Sequence, residues 1–225
     1  MLATGIVPEG KGSRDDCFAF DVPRRAGAVA GGGAAISCHA VKFYVDNELG
    51  TVKPEEKVTP ATPVPVQVLF EFQRDAAPNP KATKVVKPWA LEAIRGTNNF
   101  SEVVETPAAN GAVLSIKFNN VVKREELDKA KKDAFRAGLG FGLFGGAVAT
   151  DYYEVTLEYV PTTGAAPIRT VVSHRLYTTF GKQKKDAPPI PGTEFKKGDD
   201  AVKTLVVQAL ERGVNNIMAD PAFPK

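Results

Sequence analysis

The sequence predicts an α+β fold, a mostly antiparallel sheet with two or three helices packed on one face. Three observations point there. Apolar and polar residues alternate with the two-residue period of half-buried strands at Val66–Phe72, Leu114–Phe118, Tyr153–Tyr159 and Val172–Phe180. Near the C-terminus Val202, Leu205, Val206, Ala209, Leu210, Val214 and Ile217 recur at i, i+3, i+4 and i+7, the spacing of one helix face. The elements run strand, helix, strand, strand, helix, glycine segment, strand, strand, helix. A sheet with helices laid over one face accommodates that order.

Each element has a local reason. Val66, Val68, Phe70 and Phe72 share one side of the first strand, and Gln67, Leu69 and Glu71 share the other. A helix is expected from about Lys84, with Pro88 in its first turn, where a missing N–H costs nothing. Val86, Ala90, Ala93 and Ile94 form its apolar face, and Gly96 with Asn98 and Asn99 stops it. Phe100–Glu105 suits a short strand, and Asn110-Gly111 is a tight-turn signal opening the next one. Lys123–Ala137 is helical by composition, with a narrow stripe of small residues. The strands either side of the Pro161–Pro167 turn are natural hairpin partners. Gly181–Gly198 reads as a Lys- and Pro-rich loop, after which Asp199 or Asp200 caps the final helix.

The 225 residues divide into three parts. Residues 1–37 form a disordered or signal-like leader, 38–64 an extended Pro-rich tether, and 65–225 a single α+β domain. The leader carries Arg24 and Arg25, a run of small apolar residues, and then Cys38. That layout is the layout of a bacterial lipoprotein signal, in which the cysteine becomes the lipidated first residue. A flexible small-residue linker, or a Cys17–Cys38 disulfide in an oxidising compartment, is the other reading.

The bulk numbers exclude several classes. A formal charge of +3 is too small for a nucleic-acid-binding face. No run reaches the roughly 18 apolar residues that span a bilayer as a helix.

The stretch from Gly138 to Ala149 is apolar and studded with glycine. Gly140-Phe141-Gly142-Leu143-Phe144-Gly145 matches G-x-G-x-x-G literally, but a helix precedes it and a strand follows, the reverse of a dinucleotide site. Leu139, Phe141, Leu143 and Phe144 instead offer contact with a partner, a membrane surface or the domain's own core. His174 is mid-strand on an apolar side, and with Tyr153 and Asp151 it is the candidate polar site of any small-ligand-binding or hydrolase-type cleft. Ser173 points to the opposite side from His174, so the two do not form a nucleophile and base. Two histidines and two cysteines, all far apart in sequence, have no metal-ligand spacing. Neither cofactor, metal nor catalytic residues are therefore expected.

The run GLGFGLFGGAVATDYYEVTLEY, followed by VVSHRLYTTFGK, a Pro-rich loop and an amphipathic last helix, resembles a group of uncharacterised proteobacterial envelope lipoproteins. The matching positions are Gly138 to Gly146, Asp151, Tyr153 and His174, within about the last half of the chain. The earlier VPVQVLFEF, helix, NNFSEVVE and AVLSIKF are similar in element order to the TolB N-terminal domain and the curli-secretion lipoproteins. The resemblance implies the periplasmic side of the cell envelope, an outer-membrane lipid anchor at Cys38, and a binding or assembly role with another envelope protein or a second copy. It implies no catalytic residues.

Overall fold

The computed structural model describes residues 41–108, 111–126, 128, 132, 147–180 and 186–224. Eight strands form one sheet: β1 (Lys42–Asp46), β2 (Pro65–Arg74), β3 (Ala77–Pro78), β4 (Glu102–Val104), β5 (Ala112–Val121), β6 (Ala147–Val160), β7 (Ile168–Phe180) and β8 (Gly192–Phe195). Helix α1 (Pro80–Gly96) follows β3, and helix α2 (Gly198–Ala219) follows β8. The strand order is β3-β2-β5-β6-β7-β1-β8, with β4 beside the start of β2. Pairing is antiparallel except for β2 with β4 and with β5. Parallel neighbours need a crossover, and α1 supplies it. The fold is α+β, as the patterning predicts.

Helices α1 and α2 cover the same face. Phe70, Ile116, Leu157 and Val172 of the central strands turn inward against Ile94 of α1 and Leu205, Leu210 and Val214 of α2. Leu205 and Leu210 are fully enclosed, and burying each contributes about 1.5–3 kcal/mol. The β6–β7 hairpin runs in register from Ala147↔Phe180 to Tyr159↔Ile168.

The structure departs from the expected elements in five places. The tether does not extend from 38 to 64: Lys42–Asp46 form β1, inserted between β7 and β8. Phe43, Tyr44 and Val45 favour strands, and Val45 is buried. The connection after it is tied down too, since Asn215 Oδ1 accepts the Val58 N–H at 2.8 Å and Arg212 meets Glu56 at 2.9 Å. Helix α1 starts at Pro80, capped by the Asn79 side chain accepting from the Ala82 N–H, so Pro88 lies inside the helix. Pro88 and Lys84, four residues before it, are both exposed, and water can serve the carbonyl that loses its partner. Asp199 and Asp200 occupy the first turn of α2 rather than its cap, where they complement the helix dipole. The loop before α2 contains β8. Finally, Ala147–Ala149, the end of the apolar glycine segment, is strand.

Among the described residues no helix is long and apolar enough to cross a membrane.

Candidate functional site

Asp151, Tyr153 and His174 do come together. In the β6–β7 hairpin Tyr153 is opposite His174 and Asp151 is opposite Leu176. All three therefore belong to the helix-covered face. His174 is 3% exposed. Its Nδ1 lies 3.0 Å from the Arg175 backbone N, and an N–H can only donate, so Nδ1 accepts and the proton is assigned to Nε2. Nε2 then donates to Gln208 Oε1 of α2 at 2.8 Å. Burial pushes the imidazole pKa down. A neutral ring with both nitrogens committed has no lone pair left for a substrate proton or a metal.

Tyr153 is just as enclosed. Its ring meets Phe118 at 5.6 Å between centroids. Burial, then the Asp151 charge, push its phenol far above the ordinary range, while Asn120 bonds it in the opposing sense. The Asp151 carboxyl is pushed up by burial, with Asn120 and Arg74 pulling it back. Asn120 thus joins two of the three candidates. Asn120, Arg74 and Gln208 are the partners that sequence patterning misses. Asn120 stands opposite Tyr153, a relation that appears only once β5 and β6 are paired.

A second polar cluster, absent from the sequence reading, fastens β1. Asp46 is 4% exposed. Its Oδ2 accepts from the Tyr177 hydroxyl at 2.7 Å and its Oδ1 from the Glu48 N–H at 2.8 Å. Arg175 Nε approaches the same carboxylate at 3.5 Å and also pairs with Glu48. Burial, then the bond to Asp46, push the Tyr177 phenol up to about 12. On the other side of β1, Lys42 and Tyr44 donate to Glu194 of β8 at 3.0 and 2.9 Å. The Lys42 bond is the main reason the Glu194 carboxyl is held below its usual value. The buried Asp46 carboxylate is surrounded by donors from Tyr177, Arg175 and the Glu48 backbone. Asp46 ties β1 to β7, and Glu194 ties β1 to β8.

The other face of the sheet is different. One row across it reads Leu69, Ser115, Glu158, Arg169, and the next Glu71, Lys117, Thr156, Val171. Beside them Gln67, Val113 and Val160 continue the pattern. Leu69, Val160 and Val171 are 47%, 37% and 48% exposed. Opposite charges flank them, with Glu71 across from Lys117 and Glu158 across from Arg169. At the β7–β1 end of this face Tyr177 and Thr179 are buried, so the exposed part lies over β2, β5, β6 and the first half of β7.

Cys38, Leu139, Phe141, Leu143 and Phe144 lie outside the described residues. Among the described residues no group of three or more His, Cys, Asp or Glu side chains is placed to hold a metal ion.

No family model matches the sequence, and no curated protein does. Among solved structures the chain is similar to PelC from Paraburkholderia phytofirmans, solved as a dodecamer. A PelC variant matches at 17% identity and a TM-score of 0.34, over 69% of this chain and 91% of that one. A second PelC crystal form gives 17% identity and a TM-score of 0.30, over 68% and 91%. An uncharacterised protein matches at 12% identity and a TM-score of 0.26, over 75% and 94%. Similarities of this size carry no argument about function.

Proposed function

We propose that this chain is a non-enzymatic cell-envelope protein, held at the periplasmic side through a lipid on Cys38, that works by binding a protein partner across the uncovered face of its sheet. The observation that carries the binding role is the division of the sheet. One face is sealed by α1 and α2, and the other presents Leu69, Val160 and Val171 among charges of both signs. Apolar side chains ringed by charge are the composition of a protein contact rather than of a catalytic cleft. The His174 side of the hairpin supports the same reading, because its polar atoms are consumed by the fold. The compartment rests on the signal-like residues leading to Cys38 and on the resemblance carried by Gly138 to Gly146, Asp151, Tyr153 and His174.

Two measurements test the two halves. A photo-crosslinking residue at Leu69 or Val171, introduced into the full chain in its own cells, is expected to give a discrete adduct. The same residue at Glu92, on the helical side, is expected to give none. Equal labelling at all three sites, or none at Leu69 and Val171, removes the binding face. Mass spectrometry of the membrane fraction is expected to find acylated Cys38 as the first residue. An intact Met1–Ser37 segment on unacylated protein removes the anchor and leaves the face untouched.

A further inference from the structure

A small cavity lies apart from both polar clusters, where three stretches of chain meet. It is lined by Val52 and Lys57 of the β1–β2 connection, Thr97 and Asn99 after α1, and Glu211 and Asn215 of α2. Its volume is about 10 Å³, room for one water and nothing larger. Two of the polar side chains around it are already engaged. The Thr97 hydroxyl donates to the Ile94 carbonyl at 2.8 Å. The Asn215 amide accepts from the Val58 N–H at 2.8 Å and donates to the Glu56 carbonyl at 3.0 Å.

Asn99 is the buried polar side chain of the lining that is not engaged. It is 7% exposed. Its backbone N–H reaches Thr97 Oγ1 at 3.4 Å, but its side-chain amide has no hydrogen-bond partner among the described residues. Buried amides are nearly always paired, with protein or with ordered water. The residues sharing the cavity supply what a water needs: the Asn99 amide, the Glu211 carboxylate and the remaining lone pair of Asn215 Oδ1. Apart from Val52 the lining is polar, unlike the walls of cavities that stay dry.

The geometry points to a structural water-binding site at Asn99, in which one long-lived water accepts from the Asn99 amide and donates to Glu211 or Asn215. That water joins the turn after α1 to α2, beside the direct bonds that already hold the β1–β2 connection there. It is a fixed part of the core edge and is independent of the partner-binding face.

Magnetic resonance on the full chain tests it in two ways. In the wild-type protein the Asn99 side-chain NH₂ is expected to show a cross-peak to water whose sign in nuclear and rotating-frame Overhauser spectra marks a residence longer than the tumbling time. A missing cross-peak, or one with the sign of passing surface water, overturns the site without any variant. Oxygen-17 relaxation dispersion is then expected to lose the amplitude of one long-lived water in Asn99→Leu, which keeps the volume and removes the polar atoms. A folded Asn99→Leu protein with unchanged amplitude also overturns it. If that variant does not fold, the wild-type cross-peak decides alone.

Discussion

Gly213→Ala should destabilise the protein, although alanine is the better helix former. Gly213 lies within α2 on its buried face. A Cβ added there falls 2.5 Å from Leu157 Cδ1 and 2.8 Å from Cδ2. Carbon atoms in contact prefer about 3.5–4.0 Å, so the leucine branch must retreat by about 1 Å. Leu157 has no accessible surface and sits mid-strand in β6, so it has no solvent side to move toward. The helix gains about 1 kcal/mol when Gly becomes Ala. Forcing an extra methyl into a packed core costs about 1–3 kcal/mol. The net expectation is a loss of up to about 2 kcal/mol, and each kcal/mol lowers the melting temperature by about 2–4 °C at this chain length. Urea unfolding followed by circular dichroism reads the difference. Leu157→Val should then cost less in the Gly213→Ala background than in the wild type, a coupling of about 0.5–3 kcal/mol expected of touching residues. A Gly213→Ala protein that is about 1 kcal/mol more stable, with no coupling to Leu157, would show that propensity alone governs the site and that α2 does not approach β6 this closely.

Four further outcomes follow from the same geometry. Burial lowers the folded-state pKa of His174, so its contribution is complete above the unfolded value of about 6.5 and is lost as pH falls through the lower folded value. The urea midpoint of His174→Asn should accordingly vary less between pH 5 and 7 than that of the wild type, and equal slopes would contradict the assignment. Asp151 has the opposite sign: its folded-state pKa is raised, so its contribution is present below the unfolded value and lost as pH rises through the folded one. At pH 7 Asp151→Asn should therefore melt higher than the wild type, and a lower melting point refutes this. Tyr177→Phe removes the 2.7 Å bond to buried Asp46 and should cost about 1.5–3 kcal/mol, and a cost under about 0.5 kcal/mol would mean that β1 is not fastened there. Pro88→Ala restores a helical N–H inside α1 and should stabilise by about 1–2 kcal/mol once the looser unfolded chain is allowed for, which thermal unfolding measures.

What could be read from the sequence was whatever repeats with the period of its own element. Val66 to Phe72 and Val202 to Ile217 announce a strand and a helix because each turns an apolar stripe to one core. The hairpin of β6 and β7 was legible because a turn joins two alternating runs. Short strands do not repeat long enough. Lys42–Asp46 spans five residues and Gly192–Phe195 four, and both sit in proline- and lysine-rich surroundings that suggest loops. They become strands because β1 pairs with β7 on one side and β8 on the other, a tertiary effect that outweighs local composition. The start of α1 was missed for a related reason. Pro88 looks like a first-turn residue, yet the Asn79 cap lies nine positions earlier and Pro88 stays on the wet side.

The candidate site shows where such reading ends. Residue types and alternation were enough to place Asp151, Tyr153 and His174 on one side of two strands. They could not say whether that side would be a cleft or a core. The answer depends on Gln208 and Asn120, each reached only through the packing of α2 or the register of β5. Once those partners are in place, a histidine of the residue type that serves as a base is a neutral strut between sheet and helix. The same alternation has a second consequence. Every residue turned inward on β2, β5, β6 and β7 leaves its neighbour turned outward, on the face that α1 and α2 do not cover. Leu69 and Val171 are therefore exposed as a direct result of the pattern that builds the core. They stand beside Glu71, Lys117, Glu158 and Arg169, opposite charges set across from one another on neighbouring strands, so a partner docking there would meet apolar surface within a field of mixed charge. That is why the functional reading moves from the polar residues the sequence singles out to the face that their burial leaves open.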